Sequence, residues 1–390
     1  MTGTVAPPDE HRAWGWVAHL RSGGTTPWSA WTGPAQRAGR FLPGAQQLEL
    51  LRRLNESAGP SPVPAELADR VLHASAPGRG RPDLELVGAE SGSAFGPRPV
   101  DPAELPVDEL VRVSSSLLAD DVVATGLPVR EGRPLARPWR RHYRLVGDPA
   151  LADPLRAQLI ARGRPPGGAR ARIIVLGAPA DRMLADTFTA RALDRGGPSW
   201  VEWVASLAER DQLAPRVDLA RTARVWAERT SPDQVTLVLD PQRVGRLVGV
   251  RSGLVAPPPL PAAAVDLARR VAAVLALLVT PPTRAALLRE TLAPLLAGAP
   301  GPVLGVPEEH RAWLTGRAER MREQLRRAGY PVVGGASGGD SLDGVLPVYP
   351  SGGVVDVDND EVLGLALAVL LCSVRSGPIR SDLVRSGVIS

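Results

Sequence analysis

Lysine is absent from the 390 residues; all 46 basic side chains are arginine. The absence excludes whole reaction classes. A Walker-type P-loop sets a lysine on the β/γ-phosphates, and Schiff-base chemistry needs a lysine amine. Cysteine occurs once, at Cys372, which excludes an internal disulfide and any multi-cysteine metal site. The five histidines, His11, His19, His73, His142 and His310, never fall at i+3 or i+4 from one another and form no HExxH, so zinc has no local support. The longest apolar run, Val362–Val374, has Ser373 as its only polar residue. It falls short of the ~18 residues of a membrane-spanning helix, so no membrane partner is expected. The opening MTGTVAPPDEHRAW lacks a basic segment followed by an apolar one. No signal peptide is expected, and the expected location is cytoplasmic.

What is present suffices for a core: 44% hydrophobic and 22% charged residues, with a mean hydropathy of −0.04. The length suggests two domains, or one with an extension. Arginine, alanine, 40 glycines and 40 prolines beside three Phe and three Tyr match a GC-rich codon bias, so arginine abundance alone says little. The formal charge of +5 is unevenly placed. Residues 133–172 hold ten arginines (133, 137, 140, 141, 144, 156, 162, 164, 170, 172) against Asp148 and Asp153, a local +8 that leaves −3 elsewhere. Such a stretch is either a solvated surface or an anion-binding face. No RNP, zinc-finger or KH pattern accompanies it, and no nucleic-acid partner is expected.

Three regions emerge along the chain. Residues 1–135 read as mainly helical, with helices at Pro8–Arg21, Ala45–Glu56, after Pro64, and Asp108–Ala124. Residues 136–347 alternate short β-rich runs (His142–Val146, Arg172–Leu176, Val235–Leu239, Pro331–Val333) with helices of ten or more residues. That alternation predicts an α/β fold with a small parallel sheet flanked by helices. Ligands of such sheets bind outside the carboxyl ends of the strands, here Gly147-Asp148, Gly177-Ala178, Asp240 and Gly334-Gly335. Residues 348–390 read as an extension with one apolar helix starting near Asn359-Asp360, which is either centrally buried or a subunit contact.

From His142 to about Pro347 the order of segments resembles the bacterial sulfotransferase family, a P-loop-like fold. HYRLVGDPALADPLRAQLIARGRPP stands where that family has its first strand, sulfate-donor loop and first long helix. RIIVLGAPADRMLADTFTARALDRG stands where it has a strand, an arginine-containing turn and a helix. SWVEWVASL, VDLARTARVWAERTSPDQVTLVLDP and VPEEHRAWLTGRAERMREQLRRAGYPVVGG with SLDGVLP resemble its later segments. The family's donor loop carries a lysine and a Thr pair; here the position reads Gly147-Asp148-Pro149-Ala150-Leu151. An aspartate at that helix start occupies the N–H groups that would hold a phosphate. Where the family places the arginine for the donor's 3′-phosphate this chain has about Ala178, with Arg182 one turn on. A rival donor loop, Arg21-Ser22-Gly23-Gly24-Thr25-Thr26, follows a predicted helix instead of a strand.

Other clusters have structural as well as functional readings. Trp14, Trp16, Trp28 and Trp31 form either an aromatic platform or packing for the helical region, while Trp200 and Trp203 lie on one helical stripe and read as core. Asp356-Val-Asp358-Asn-Asp360-Glu361 lacks the Gly and Glu of an EF-hand and reads as a helix start. Three functions follow as expectations. The first is a degenerate, non-catalytic sulfotransferase-like interaction or accessory protein, with a protein partner or a second copy of itself and no cofactor. The second is an enzyme of rearranged transferase type acting on an anionic or glycosylated substrate, with Asp148 and Asp181 as acid/base candidates and Gly147, Gly177, Arg182, Arg191 and Asp240 as ligand-binding candidates. The third is a binder of a phosphorylated small molecule through the 133–172 arginines.

Overall fold

The computed structural model describes residues 8–36, 42–74, 83–89, 99–128, 142–168, 170–250, 253–334 and 341–375. Arg133, Arg137, Arg140, Arg141, Gly335 and the chain beyond 375 lie outside the described residues. Along the chain come α1 (Pro8–Arg21), α2 (Ala45–Ala58), α3 (Ala65–Leu72) and α4 (Val107–Thr125). Then follow β1 (Tyr143–Gly147), α5 (Pro149–Ala161), β2 (Arg172–Leu176), α6 (Ala180–Arg195), α7 (Trp200–Glu209), α8 (Leu219–Arg229) and β3 (Val235–Val238). Helices α9 (Val244–Leu247), α10 (Ala262–Leu278), α11 (Pro281–Leu287), α12 (Ala293–Leu296) and α13 (Glu308–Ala328), strand β4 (Val332–Val333) and α14 (Asn359–Arg375) complete it. The architecture is mixed α/β, mostly helical, with one small four-stranded parallel sheet. No helix among the described residues is long and apolar enough to cross a membrane.

The chain divides into two compact units: residues 1–128, 266–295 and 357–390 form one, and 129–265 with 296–356 the other. The first is helical. Its α14 packs on α4 and α2, burying Val362, Leu363, Ala366, Leu367 and Leu370. The apolar run that admitted two readings is therefore core. Asp358 Oδ1 accepts from Asp360 N at 2.9 Å, so the acidic segment caps this helix. Trp16 and Trp28 are buried with ring centroids 5.3 Å apart. Their indole N–H groups donate to the Thr26 and Val87 carbonyls, and Arg12 lies over the Trp28 ring at 3.9 Å. Trp14 and Trp31 are half-buried, with Trp31 stacked on His19. Between α11 and α12 the chain makes a π turn, Leu288–Leu292, whose Thr291 hydroxyl donates to the Gly126 carbonyl.

Arg270 ties this unit together. Its guanidinium reaches Asp266 on its own helix, Asp108 on α4, and Asn359 Oδ1 at the start of α14. Asp266 is buried; Arg269 takes its Oδ1 at 2.7 Å and Arg270 its Oδ2 at 2.6 Å, so each oxygen of the desolvated carboxylate has a charged donor.

The second unit holds the sheet. Strand order is β1-β2-β3-β4, every pair parallel. Strands β2 (RIIVL) and β3 (VTLV) are buried on both faces apart from Arg172, the pattern of interior strands of a parallel sheet. Edge strand β1 alternates, with Tyr143 and Leu145 buried and Arg144 exposed. Helix α8 lies against β1, β2 and β3, and α5 packs on β1 and α6. Phe188 of α6 meets Trp200 and Trp203 of α7 at 5.2 and 5.4 Å, so both tryptophans are core.

Replacing Arg270 with alanine leaves Asp266 to Arg269 alone and removes the ties from this helix to Asp108 and Asn359. The expected loss is about 1–2 kcal/mol, seen as a fall of a few degrees in thermal unfolding. Arg270→Lys recovers little of it, because a single ammonium cannot serve three acceptors from different helices.

Candidate functional site

The turn after β1 is filled by its own chain. Gly147 has φ +98°, a conformation that side chains rarely adopt, and a Cβ there would sit 2.2 Å from the Leu176 carbonyl oxygen. The Asp148 N–H donates to that carbonyl at 3.0 Å. The Asp148 side chain is wholly buried, and its Oδ1 accepts from Ala150 N at 2.8 Å, capping α5, with Pro149 at the first helical position. Arg216 closes the remaining side. Its Nε donates to the Gly147 carbonyl at 2.9 Å, and its two terminal nitrogens pair with both Asp153 oxygens at 2.9 and 3.1 Å.

Asp148 Oδ2 is buried and has no N–H donor. Its neighbour is the carboxyl of Asp186 on α6, also buried and within hydrogen-bonding reach. Burial pushes the Asp148 carboxyl well above the usual range, and the Asp186 charge adds to the effect. Burial likewise raises Asp186, against the pull of Arg182, whose Nε lies 3.3 Å from Asp186 Oδ2. With both carboxyls pushed upward, one proton between them leaves the pair a single negative charge for Arg182.

Asp186 also faces a cavity of about 140 Å³, whose walls include Asp181, Arg182, Arg311 and Tyr349. Asp181 accepts from Val348 N and Tyr349 N, both at 3.1 Å. Its carboxylate thus anchors a turn in which Tyr349 takes φ +51°, a left-handed conformation uncommon outside glycine and worth of order 1 kcal/mol in strain. The Tyr349 hydroxyl donates to the Arg311 carbonyl at 2.8 Å, and the Arg311 guanidinium lies over its ring at 5.3 Å.

The other expected ligand-binding residues stand apart from this cavity. A Cβ on Gly177 would meet Leu219 at 2.5 Å and Leu239 at 2.9 Å, so that strand end is packed with leucine. Gly334 is covered by Asp240, whose Cβ lies 2.5 Å from the equivalent position. Asp240 caps the short turn 241–243 through Gln242 N and pairs with Arg243. It lines a separate open groove with Gln242, Arg243 and Arg246. Arg191 lies nine residues along α6 from Arg182, about 13 Å by helical rise, beside Gly197, and burial lowers its pKa. Of the described arginines in 133–172, Arg156, Arg162 and Arg164 donate to the carbonyls of Leu145, Gly253 and Val248, and Arg144 lies against Trp226. The Arg21–Thr26 segment follows helix α1 and not a strand. Among the described residues no group of three or more His, Cys, Asp or Glu is arranged to hold a metal ion.

Asp186, Arg216, Arg311 and Tyr349 did not emerge from the sequence. Asp186 had a usable signal: it falls on the same face of α6 as Met183 and the capping end of α5, an acid among apolar positions. The others come from segments too distant for spacing to reveal. None of the protein-family models, curated proteins or solved structures compared with the chain matches it.

The shared proton has a stability consequence of definite sign. The folded pair binds a proton at pH values where unfolded aspartates, near ~3.9, have lost it. The pair's contribution is therefore full below that range and is lost as pH rises toward the raised folded value. Asp148→Asn keeps an oxygen for Ala150 N and gives Asp186 a permanent N–H donor. It is expected to melt above the unmodified protein at pH 8, by the ~1 kcal/mol or more of a buried unsatisfied group, with the gap closing toward pH 5. A gap that stays constant across this range would rule out the shared proton. Asp148→Ala loses the cap and melts lower throughout.

Proposed function

We propose that the sheet-bearing unit, over residues 142–265 and 296–347, is a sulfotransferase-like, P-loop-related domain without a donor site, and that the protein works as a non-catalytic interaction or accessory partner. The carrying observation is the turn after β1, where a sulfotransferase holds its nucleotide. Here the Asp148 carboxylate occupies the helix N-terminus and Arg216 takes the Gly147 carbonyl. A phosphate would have to displace a buried carboxylate from the N–H groups it needs. Two further features support the reading. The chain has no lysine, and the strand order never reverses, so the sheet lacks the switch point at which open α/β sheets form a ligand crevice.

One observation favours the second reading, an enzyme of rearranged transferase type. Asp148 and Asp186 are paired carboxyls beside Arg182, and pairs whose pKa values are displaced serve as acid and base in many active sites. In that reading Asp186, not Asp181, meets substrate, because both Asp181 oxygens hold main-chain N–H groups. The phosphorylated-ligand reading through residues 133–172 draws less support, since Arg156, Arg162 and Arg164 brace main-chain carbonyls.

The test is thermal unfolding with and without millimolar 3′-phosphoadenosine 5′-phosphate, the nucleotide left when the sulfate donor reacts. The expected result is no shift. A ligand at ~100 times its dissociation constant would add ~2.7 kcal/mol, so a clear upward shift that persists in Ala185→Leu, which narrows the neighbouring cavity, would overturn the proposal.

A further inference from the structure

The cavity beside Asp186 has one kind of unused bonding capacity. Its carboxylates are engaged: Asp186 with Arg182 and Asp148, Asp181 with two main-chain N–H groups. Its arginines are not. Arg182 uses Nε on Asp186 and Arg311 uses Nε on the Val306 carbonyl, and among the described residues the terminal nitrogens of both have no protein acceptor. Both side chains are partly exposed and stand at the mouth, while Asp186, 5% exposed, lies at the floor. Pro259, Val303, Leu304 and Pro350 supply apolar wall. The site therefore offers N–H donors of positive charge above a partly apolar pocket, and it lacks an acceptor.

We propose that this cavity binds a small organic oxyanion, a carboxylate or phosphate monoester on a short apolar body, held at the mouth between Arg182 and Arg311. Planar guanidinium groups with free terminal nitrogens suit two-oxygen acceptors of this kind. The size sets the limit on the body. About 140 Å³ holds roughly five waters and lies below the ~300 Å³ at which pockets for drug-sized ligands begin, so a nucleotide is excluded. Tyr349 supports a ligand role independently. Its left-handed backbone is held by the Asp181 carboxylate and its ring is fixed under Arg311, and backbone strain of this sort clusters at ligand clamps. The inference goes beyond the closed donor turn and holds whether or not the domain descends from a sulfotransferase.

The experiment uses the full chain at constant ionic strength, with sodium chloride as the control. Butyrate and n-propyl phosphate are titrated by calorimetry and by thermal unfolding. At least one is expected to raise the melting temperature by about 2 °C or more at tens of millimolar. The stronger of the two identifies the headgroup. Ala185→Leu narrows the cavity from α6 and is expected to abolish the shift. Arg182→Gln combined with Arg311→Gln weakens binding about tenfold or more while leaving the walls in place. No shift beyond the chloride control for either probe overturns the proposal. So does a shift that survives undiminished in whichever of the two variants folds.

Discussion

A buried carboxylate that must find two partners sets the geometry of the sheet-bearing unit. Asp148 is fully enclosed at the end of β1, where an isolated charge would cost many kcal/mol. One oxygen is satisfied by capping α5. The other has no N–H donor and lies beside the Asp186 carboxyl, whose charge adds to burial in raising Asp148 and so links the start of α5 electrostatically to the middle of α6. The remaining charge fixes Arg182 against Asp186. Arg216 then completes the turn by joining the Gly147 carbonyl to Asp153 one turn into α5. Removing the acid at 148 would free the helix N-terminus; keeping it makes that terminus an internal structural element.

The same carboxylate explains why the anion-binding potential of this unit lies beside the sheet and not at its edge. In open α/β sheets the ligand crevice forms where successive connections leave in opposite directions. Here the chain steps steadily from β1 to β4, and the strand ends are filled by Leu176, Leu219, Leu239 and Asp240. Space remains instead between α6, the segment 303–306 and the turn at Tyr349. That space exists because Asp181 holds the turn by two N–H groups while Asp186, on the same helix, stays at its floor.

Much of the framework was legible in the residues. The β-rich runs at 172–176 and 235–239 name the buried strands nearly to the residue, because continuous Ile, Val and Leu between helices has few other uses. The helix 8–21 and the Asp148 cap followed from Pro and Asp at helix starts. The cavity was not legible. Its walls combine α6, residue 259, residues 303–311 and residues 349–350, and a side chain's use depends on partners far away in sequence. Asp181 illustrates this: it stood as an acid/base candidate, yet two N–H groups 167 and 168 residues later engage both oxygens. Arg-rich composition was uninformative for a related reason, since local charge cannot distinguish a free guanidinium from one bonded to a carbonyl.

That distinction determines what an arginine-only chain can recognise. A guanidinium is planar and carries five N–H groups, so it can brace a loop and present charge at once, where an ammonium does one or the other. Arg162, Arg164 and Arg216 are braces, each ending on a main-chain carbonyl. Arg270 is a brace between helices. Arg182 and Arg311 differ because each is anchored through Nε alone. Their stems are oriented by the protein, and among the described residues their terminal nitrogens have no acceptor. An anchored arginine loses less side-chain freedom on binding than a solvated one, so these two are better prepared to meet an anion than Arg156, Arg162 and Arg164, which already end on main-chain carbonyls.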